Sequence, residues 1–233
     1  MTVREFSDSF DVLLNSLAYN TQFGQQNNPM TVSLDEYEKS VLLTKAQHDV
    51  VEALYEGTLQ NDSFEETETL RRSLDSLIVT EYPEQVSDLT GLSSNSVFYK
   101  LNDNLWWITY ESVKLSSGAY CDSSTLEVIP VRQDEYHKMR QNPFKQPNER
   151  RVLRLDCGNN IVELISEYPI SEYLVRYVKK PQPIILVSLE GTDLTIDGLQ
   201  TVSECELNTL LHKTILDRAV QLAQQRIPQT RNT

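Results

Sequence analysis

Glycine and cysteine are both scarce in this chain of 233 residues, which contains seven glycines and three cysteines. No glycine belongs to a GxGxxG or GxxxxGK(S/T) motif, so the chain offers no glycine-rich loop to hold a nucleotide phosphate. Cys121, Cys157 and Cys205 are widely spaced and odd in number. That pattern argues against a disulfide framework and against a CxxC metal site, and it is typical of a protein of the reducing cytosol.

Histidines and long apolar runs are also few. His48, His137 and His212 stand in no recognised ligand order such as HExxH, so we expect no metal ion and no other cofactor. A hydrolase using Cys157 with His212 would have to be assembled by folding, since no local motif marks either residue. No run of eighteen apolar residues occurs and the first ten residues include acids, so the sequence predicts neither a membrane span nor a signal peptide.

Positive charge is scarce as well, because 21 Lys and Arg residues stand against 34 Asp and Glu, for a formal net charge of −13. Proteins that bind nucleic acid through bulk charge are basic, so the composition excludes that class. The charge is also uneven: residues 1–82 hold fifteen acids and five bases, whereas residues 132–154 hold seven bases and three acids. Two complementary surfaces for neighbouring proteins would explain this polarity, and so would a solvated acidic helix face with ordinary surface arginines.

The first third of the chain has the periodicity of helices. Apolar residues at three- and four-residue spacings predict a first amphipathic helix that ends at the polar segment 24–29. Its apolar side consists of Phe6, Phe10, Leu13, Leu14 and Leu17. A capping box at residues 33–36 predicts the start of a long second helix, and Gly57 is placed as its C-cap. The buried side of that helix would carry Leu43, Ala46, Val50 and Leu54.

A third and a last helix are predicted from the same signals. Residues 63–66 repeat the capping box, and the helix that follows has on one side Leu70, Leu74, Leu77 and Ile78. This helix should stop near Tyr82, because the residue before a proline avoids helical backbone angles. Near the end of the chain a helical stripe is traced by Leu207, Leu211, Ile215, Ala219 and Leu222.

From Ser96 onwards the chain is rich in β-branched and aromatic residues, which is typical of strands. The predicted strand segments are 97–101, 104–115, 126–131, 152–155, 161–165, 173–178 and 184–189. The first two would form a hairpin around Asn102 and Asp103, and the fourth and fifth would form another around residues 158–160. Residues 133–140 would form a short helix.

The order of these elements indicates an α+β fold of N-terminal helices, a mostly antiparallel β region and a C-terminal helix. We expect a helical region at 1–92 and a β-rich region at 93–233 that share one core. Trp106 and Trp107 are adjacent in a predicted strand, so one should lie in the core and the other at the rim or in an interface, with Trp106 on the face of Ile108 and Tyr110. The alternative is that they stack nucleotide bases on an exposed sheet.

Residues 133–155, QDEYHKMRQNPFKQPNERRVLRL, combine a short amphipathic stretch with two prolines and an arginine-rich strand. Aromatic anchors and fixed positive charge dominate protein interfaces, whereas no nucleophile is paired with a base here. The candidate interface residues are Arg132, Tyr136, His137, Arg140, Asn142, Phe144, Lys145, Arg150, Arg151, Arg154 and Arg176. A docking surface is the favoured interpretation, and a solvated loop is its alternative.

Further segments stand beside residues 133–155: RY at 176–177 before KKP at 179–181, PIIL at 183–186, and LH at 211–212 with ILDRAV at 215–220. Together these segments resemble ring proteins of the connector of crAss-like tailed bacteriophages. The segment LDEYEKS at 34–40, continued by LTKAQ at 43–47, is similar to the start of the same family. These segments span most of the chain, and none is a catalytic fingerprint.

The resemblance implies a structural virion protein of the tail or neck, made in the host cytoplasm. It implies a closed ring of this chain below the portal, commonly of ~12 copies, with the portal and neighbouring ring or tail proteins as partners. The genome would leave through the lumen without specific binding, and no membrane would take part. The alternative function is a soluble cytoplasmic adaptor or regulatory protein that binds a protein partner without forming a ring.

Overall fold

A computed structural model describes residues 1–21, 33–57, 72–116 and 125–226. The chain divides into two compact units: unit 1 is formed by Met1–Leu77 with Pro181–Thr233, and unit 2 by Ile78–Lys180. The helices are α1 (Val3–Thr21), α2 (Glu36–Glu56), α3 (Tyr136–Gln141) and α4 (Thr209–Arg226). An eight-stranded, mostly antiparallel sheet lies in unit 2. The predicted α+β class is confirmed, and the division at residues 92 and 93 stays a prediction.

Among the described residues, unit 1 contains three long helices, α1, α2 and α4. The apolar stripes predicted for α1, α2 and α4 supply its buried side chains, among them Phe6, Phe10, Leu14, Leu43, Ala46, Val50, Leu54, Leu211, Ile215, Ala219 and Leu222. Ion pairs join the helices around this core. The buried ammonium group of Lys39 lies 2.7 Å from Asp11 of α1, and Arg218 of α4 lies 2.7 Å from Asp49 of α2.

Helix α2 has both of its predicted caps, with the N-terminal one shifted. The capping box predicted at 33–36 is formed two residues later, because Asp35 is the N-cap residue and its backbone N–H donates to Glu38 Oε2 at 3.2 Å. Gly57 ends the helix at a φ of 71°, which glycine adopts without strain. The segment 24–29 and the capping box at 63–66 lie outside the described residues, as does Leu70.

Residues 184–189 do not continue the sheet, so that prediction is wrong. Their backbone is paired with polar side chains on the buried face of α2: the N–H of Ile184 donates to Thr44 Oγ1 at 3.1 Å, and the N–H of Leu186 donates to Ser40 Oγ at 3.0 Å. A polar helix face thus replaces a neighbouring strand as hydrogen-bond partner. The apolar run at 183–186 is buried, as a strand would be, which is why its composition misleads.

The sheet of unit 2 has the strand order β1-β8-β4-β5-β6-β7-β3-β2. The strands are β1 (Ile78–Glu81), β2 (Glu84–Val86), β3 (Ser96–Lys100), β4 (Leu105–Leu115), β5 (Leu126–Pro130), β6 (Arg151–Gly158), β7 (Ile161–Ile165) and β8 (Ile170–Lys179). Every neighbouring pair is antiparallel except β5 and β6, which are parallel. The hairpin predicted around residues 158–160 is confirmed, with Asn159 and Asn160 both at positive φ.

Two other predictions for this region are wrong. Strands β3 and β4 do not pair with each other, because β3 pairs with β2 and β7 and β4 pairs with β5 and β8. Three strands separate β4 from β3 in the sheet, yet only residues 101–104 connect them along the chain. The sheet must therefore curl so that the connected ends of β3 and β4 come close together. Ile78 is the first residue of strand β1 and does not belong to the end of a helix. The β-branched run Ile78-Val79-Thr80 favours a strand, and β1 lies at the edge of the sheet, where a following proline is tolerated.

The curled sheet encloses the main core of unit 2. Tyr99 of β3 and Tyr173 of β8 are both buried and their rings lie 5.0 Å apart, which shows that the two strands face each other across this core. Other members include Val113, Val128, Val152, Leu164 and Val175. A second, smaller cluster joins β6 and β7 to the region of α3 and contains Val131, Tyr136, Leu153, Leu155 and Ile165.

Trp106 and Trp107 do not divide between core and rim as predicted. Their rings stack with centroids 4.1 Å apart and an angle of 11° between planes, and both side chains are half-buried. The register of β4 against β8 shifts between Leu105 and Trp107, and such a bulge turns two adjacent side chains to the same side. The strict alternation that the prediction assumed therefore fails at this point of β4.

The turn that leads into β3 gives a stability prediction. A methyl group on Gly91 would lie 2.1 Å from Ser96 Cβ and 2.8 Å from Oε1 of the buried Glu163, which accepts the Leu92 N–H at 2.6 Å. Gly91→Ala should therefore lower the free energy of unfolding of unit 2 by about 1–3 kcal/mol, the usual cost of overpacking. Urea unfolding followed by tryptophan fluorescence measures this change. Ser94→Ala in the same exposed turn is the matched control, and equal stability of the two variants would contradict the prediction.

Candidate docking surface

The predicted interface residues concentrate in the connection between the parallel strands β5 and β6. This connection contains the short helix α3, which is anchored through Tyr136, a side chain that is 3% exposed within the smaller core cluster. Tyr136 therefore holds the helix on the sheet and is not available to a partner. The surface positions around it are Arg132, His137, Arg140, Lys145 and Arg150, all exposed. Arg132 forms an exposed ion pair with Asp134 at 3.3 Å.

Residues 142–151, which we call the Phe144 loop, form the outermost part of this surface. The side chain of Phe144 is 87% exposed. The loop nevertheless has a defined backbone, because Asn142 Oδ1 accepts the Phe144 N–H at 2.9 Å and the Asn142 carbonyl accepts the Lys145 and Gln146 N–H groups at 3.0 and 2.9 Å. At its other end the Arg150 N–H donates to Asn148 Oδ1 at 2.9 Å. The loop presents an aromatic ring on a hydrogen-bonded frame.

Arg151 closes this loop from the start of β6. Its guanidinium Nη1 donates to the Phe144 carbonyl at 2.6 Å, across seven residues of sequence. The side chain is half-buried beneath the loop, whereas that of Arg150 is exposed. The two adjacent arginines thus have different roles: Arg151 fixes the loop and Arg150 contributes charge to the surface.

Arg154 lies inside unit 2 and takes no part in the surface. Its side chain is 11% exposed, and Nη1 lies 2.7 Å from Oε2 of Glu111 on β4, whose side chain is 6% exposed. The hydroxyl of the buried Tyr173 on β8 donates to the other carboxylate oxygen of Glu111. Burial and the nearby carboxylate raise the pKa of Tyr173 far above its ordinary value, so it stays a hydrogen-bond donor. Sequence reasoning singled out Arg154 for the surface and missed Glu111, its partner two strands away.

Arg176 belongs to another part of the unit, on β8. Its Nε donates to Thr80 Oγ1 on β1 at 3.1 Å, and its guanidinium lies 6.0 Å from the centre of the Tyr110 ring. Tyr110 is itself 49% exposed. Arg176 therefore stands on an exposed face of the sheet and is not brought together with the Phe144 loop by the β5–β6 connection.

The described residues offer little for catalysis. No group of three or more His, Cys, Asp or Glu side chains in the described ranges could hold a metal ion. Burial raises the pKa of the Cys157 thiol above its ordinary value and raises that of Cys205 to about 11, so both are weak nucleophiles at neutral pH. Both ring nitrogens of His212 are engaged, Nδ1 with the Met1 amino group at 2.7 Å and Nε2 with the Leu207 carbonyl at 3.0 Å.

The position of His212 predicts a pH dependence. Burial, together with the charged Met1 amino group, lowers its pKa from the ordinary 6.5. The unfolded chain therefore binds a proton at a higher pH than the folded chain does, and unit 1 should lose stability as the pH falls from neutrality through 6.5 towards the lowered pKa. Thermal unfolding followed by far-ultraviolet circular dichroism at a series of pH values measures this loss. His212→Asn should reduce the pH dependence and His137→Asn should retain it; the reverse pattern would contradict the assignment.

Sequence reasoning missed a second exposed surface, in unit 1. Residues 187–210, here called the acidic segment, contain five acids and neither Lys nor Arg. Their exposed apolar side chains are Val187, Leu194, Leu199, Val202 and Leu210. The composition of residues 184–189 predicts a buried strand, and that prediction draws the beginning of the acidic segment into the core. The absence of any basic residue over 24 positions was the available signal.

An ordered loop with an exposed aromatic tip and flanking basic residues is typical of the docking surface of a binding protein. None of the helices in the described ranges has the length and apolar content needed to cross a membrane. The chain belongs to the family described as "Phage tail ring protein 3/4", whose match covers residues 1–233. The resemblance inferred from the sequence is thereby confirmed.

Two curated relatives come from Bacteroides phage crAss001. The chain is similar to Ring protein 3, with 44% identity over 228 residues that cover 96% of this chain and 95% of that protein. It is also similar to Ring protein 4/5, with 35% identity over 234 residues that cover 96% of this chain and 92% of that protein. The chain is thus a structural ring protein of a phage, and one phage contains two proteins that match it over nearly their whole lengths.

Proposed function

We propose that this chain assembles with copies of itself into a closed ring of the phage head-to-tail connector or tail, below the portal, and that the ring forms part of the conduit for genome ejection. The observation that carries the proposal is the match to phage ring proteins over the whole chain. The family membership favours this function over a soluble adaptor that binds one partner. A role as a structural virion component also requires no catalysis.

The charges of the two units support a ring built from one kind of subunit. Unit 1 holds 20 acids and 9 bases, whereas unit 2 holds 14 acids and 12 bases, seven of the latter within residues 132–154. A cyclic ring larger than a dimer requires every subunit to present two different, complementary surfaces. An acidic unit 1 and a locally basic surface on unit 2 meet that requirement.

The same charges indicate how the ring would interact with DNA in its lumen. A strongly acidic unit repels phosphates, so a genome passing a ring of such subunits would slide without specific binding. The portal and the neighbouring ring or tail proteins would hold the ring above and below. The chain would be made in the host cytoplasm and would end in the virion, in the tail or neck.

Quantitative mass spectrometry of purified virions tests the proposal. The expected result is a fixed low copy number relative to the major capsid protein, near ~12 or a multiple of it, as cyclic assembly below a portal implies. Electron microscopy of the same particles should then locate the chain in the neck or tail. Absence of the chain from clean particles would overturn the proposal and favour the alternative function, a soluble adaptor.

A further inference from the structure

Among the exposed large apolar side chains of the described ranges, Phe144 has the largest exposed fraction, 87%. An exposed aromatic side chain gains free energy when a partner covers it, and aromatic residues are the commonest interface anchors. The loop that carries Phe144 is already held by the Asn142 hydrogen bonds and by Arg151. Because the loop is ordered before it meets a partner, docking costs little conformational entropy.

The acidic segment of unit 1 has the complementary character. Its backbone is also held in place, by a bridge between Ile185 and Ser203 and by the Leu189 N–H, which donates to the Gln200 carbonyl at 2.8 Å. Exposed carboxylates on the segment include Glu190, Asp193 and Glu204. In the sequence they are interspersed with exposed leucine and valine side chains, so the segment offers both apolar and acidic side chains on a hydrogen-bonded backbone.

We propose that the Phe144 loop of one copy docks on the acidic segment, residues 187–210, of the next copy in the ring. In this contact Phe144 covers the exposed apolar side chains, and Lys145 and Arg150 face the carboxylates. Apolar contact at the centre with charge pairs at the rim is the usual anatomy of a protein interface. The inference rests on the proposed function, because a second copy lies beside the first only if the chain assembles into a ring.

Head-to-tail docking of this kind accounts for both surfaces at once. Each copy offers one Phe144 loop and one acidic segment, so cyclic closure covers every loop and every segment and leaves none exposed. A contact between two identical surfaces would instead bring two basic loops together, which the charge repulsion opposes. The opposite charges of the two surfaces therefore favour the next copy of the chain as the occupant.

A photocrosslink from position 144 tests the contact directly. Full-length chain carrying benzoylphenylalanine in place of Phe144 is mixed with wild-type chain labelled with heavy nitrogen, and irradiated. A crosslinked pair of one light and one heavy peptide must come from two copies, because a crosslink within one chain joins two light peptides. The expected result is attachment to peptides from residues 187–210 of the heavy chain. The matched control places the same group at Tyr82, an aromatic side chain that is 58% exposed in the same unit, and should not label those peptides.

The outcomes separate this inference from the proposed function. Light–heavy crosslinks that fall outside residues 187–210, or no such crosslink at all, overturn the contact, as does attachment in particles to a different ring or tail protein. If the chain is present in virions at a fixed count and position 144 crosslinks elsewhere, only the contact fails. If the chain is absent from virions, the ring fails and the contact with it.

Point variants give a second measurement. Phe144→Ser should weaken light–heavy association by at least about tenfold, the effect of removing one interface anchor, without lowering the unfolding temperature, because an exposed side chain contributes little to the fold. Tyr82→Ser should leave association unchanged. Raising the salt concentration to about 0.5 M should also weaken the association, since the rim pairs are screened. Association of Phe144→Ser that equals wild type overturns the contact.

Discussion

Replacing Arg154 by Met should lower the free energy of unfolding of unit 2 by about 3–5 kcal/mol, the cost of leaving one member of a buried ion pair without its partner. The Arg154 and Glu111 side chains are 11% and 6% exposed, so little water can replace either charged group when it is removed. Among the described residues, Glu111 would then keep the Tyr173 hydroxyl as its hydrogen-bond donor. A single Arg154→Met substitution thus leaves a buried carboxylate without its countercharge, and that carboxylate cannot stay charged without cost.

A double variant separates the charge from the packing. Arg154→Met combined with Glu111→Gln removes both charges, and it should recover most of the loss. Arg132→Met is the matched control for loss of an arginine, and it should change stability by less than about 0.5 kcal/mol because that side chain is 78% exposed. Urea unfolding followed by tryptophan fluorescence reports on unit 2 alone, since the two tryptophans of the chain are both there. The prediction fails if Arg154→Met and Arg132→Met are equally stable.

Arg151→Ala should release the Phe144 loop and abolish incorporation into particles, while Arg150→Ala should do much less. Both variants lose one positive charge, so a difference between them reports the hydrogen bond that Arg151 donates to the Phe144 carbonyl at 2.6 Å. A hydrogen bond donated by a charged group stabilises the ordered loop by about 1.5 kcal/mol, which is roughly tenfold in the ratio of ordered to disordered loop. Without this bond, binding weakens in proportion to the fraction of the loop that stays ordered, by up to about tenfold, and the loss is repeated at every contact of the ring.

Hydrogen exchange and particle counts measure the two halves of this prediction. Backbone amides of Lys145 and Gln146, which donate to the Asn142 carbonyl, should exchange about tenfold faster in Arg151→Ala than in Arg150→Ala. Mass spectrometry of particles from cells that supply each variant gives incorporation. Equal exchange and equal incorporation of the two variants would remove any special role for Arg151 and reduce the loop to a charged patch.

Local sequence signals predicted the helices and the β6–β7 hairpin correctly because the groups that specify them are neighbours in the chain. The stripe from Leu211 to Leu222 and the C-cap at Gly57 depend on spacings of a few residues. Pairing of β3 with β7, by contrast, depends on residues some sixty positions away, and the short β3–β4 connection invited a hairpin that the curl of the sheet replaces. Register shifts such as the one at Trp107 have no local signal.

For the candidate surface too, the sequence predicts what depends on neighbouring residues and misses what depends on distant ones. Exposure of Phe144 followed from prolines and polar neighbours in its own segment, and the structure agrees. The burial of Tyr136 and Arg154 depends on side chains of other strands, Ile165 and Glu111 among them, which lie outside residues 133–155. Residue type alone could not distinguish Arg150, Arg151 and Arg154, since three arginines within five positions have three different surroundings.

The parallel pairing of β5 with β6 bears on how such rings diversify. Parallel neighbours require a long crossover, and here that crossover carries α3 and the Phe144 loop while the ladder of hydrogen bonds on either side is complete without them. Insertions, deletions or substitutions in the crossover can therefore change the exposed surface of the subunit without disturbing the strands. If the Phe144 loop docks on the next copy as proposed, two related ring proteins would share one scaffold and each would still assemble only with its own copies, because the crossover selects the neighbour.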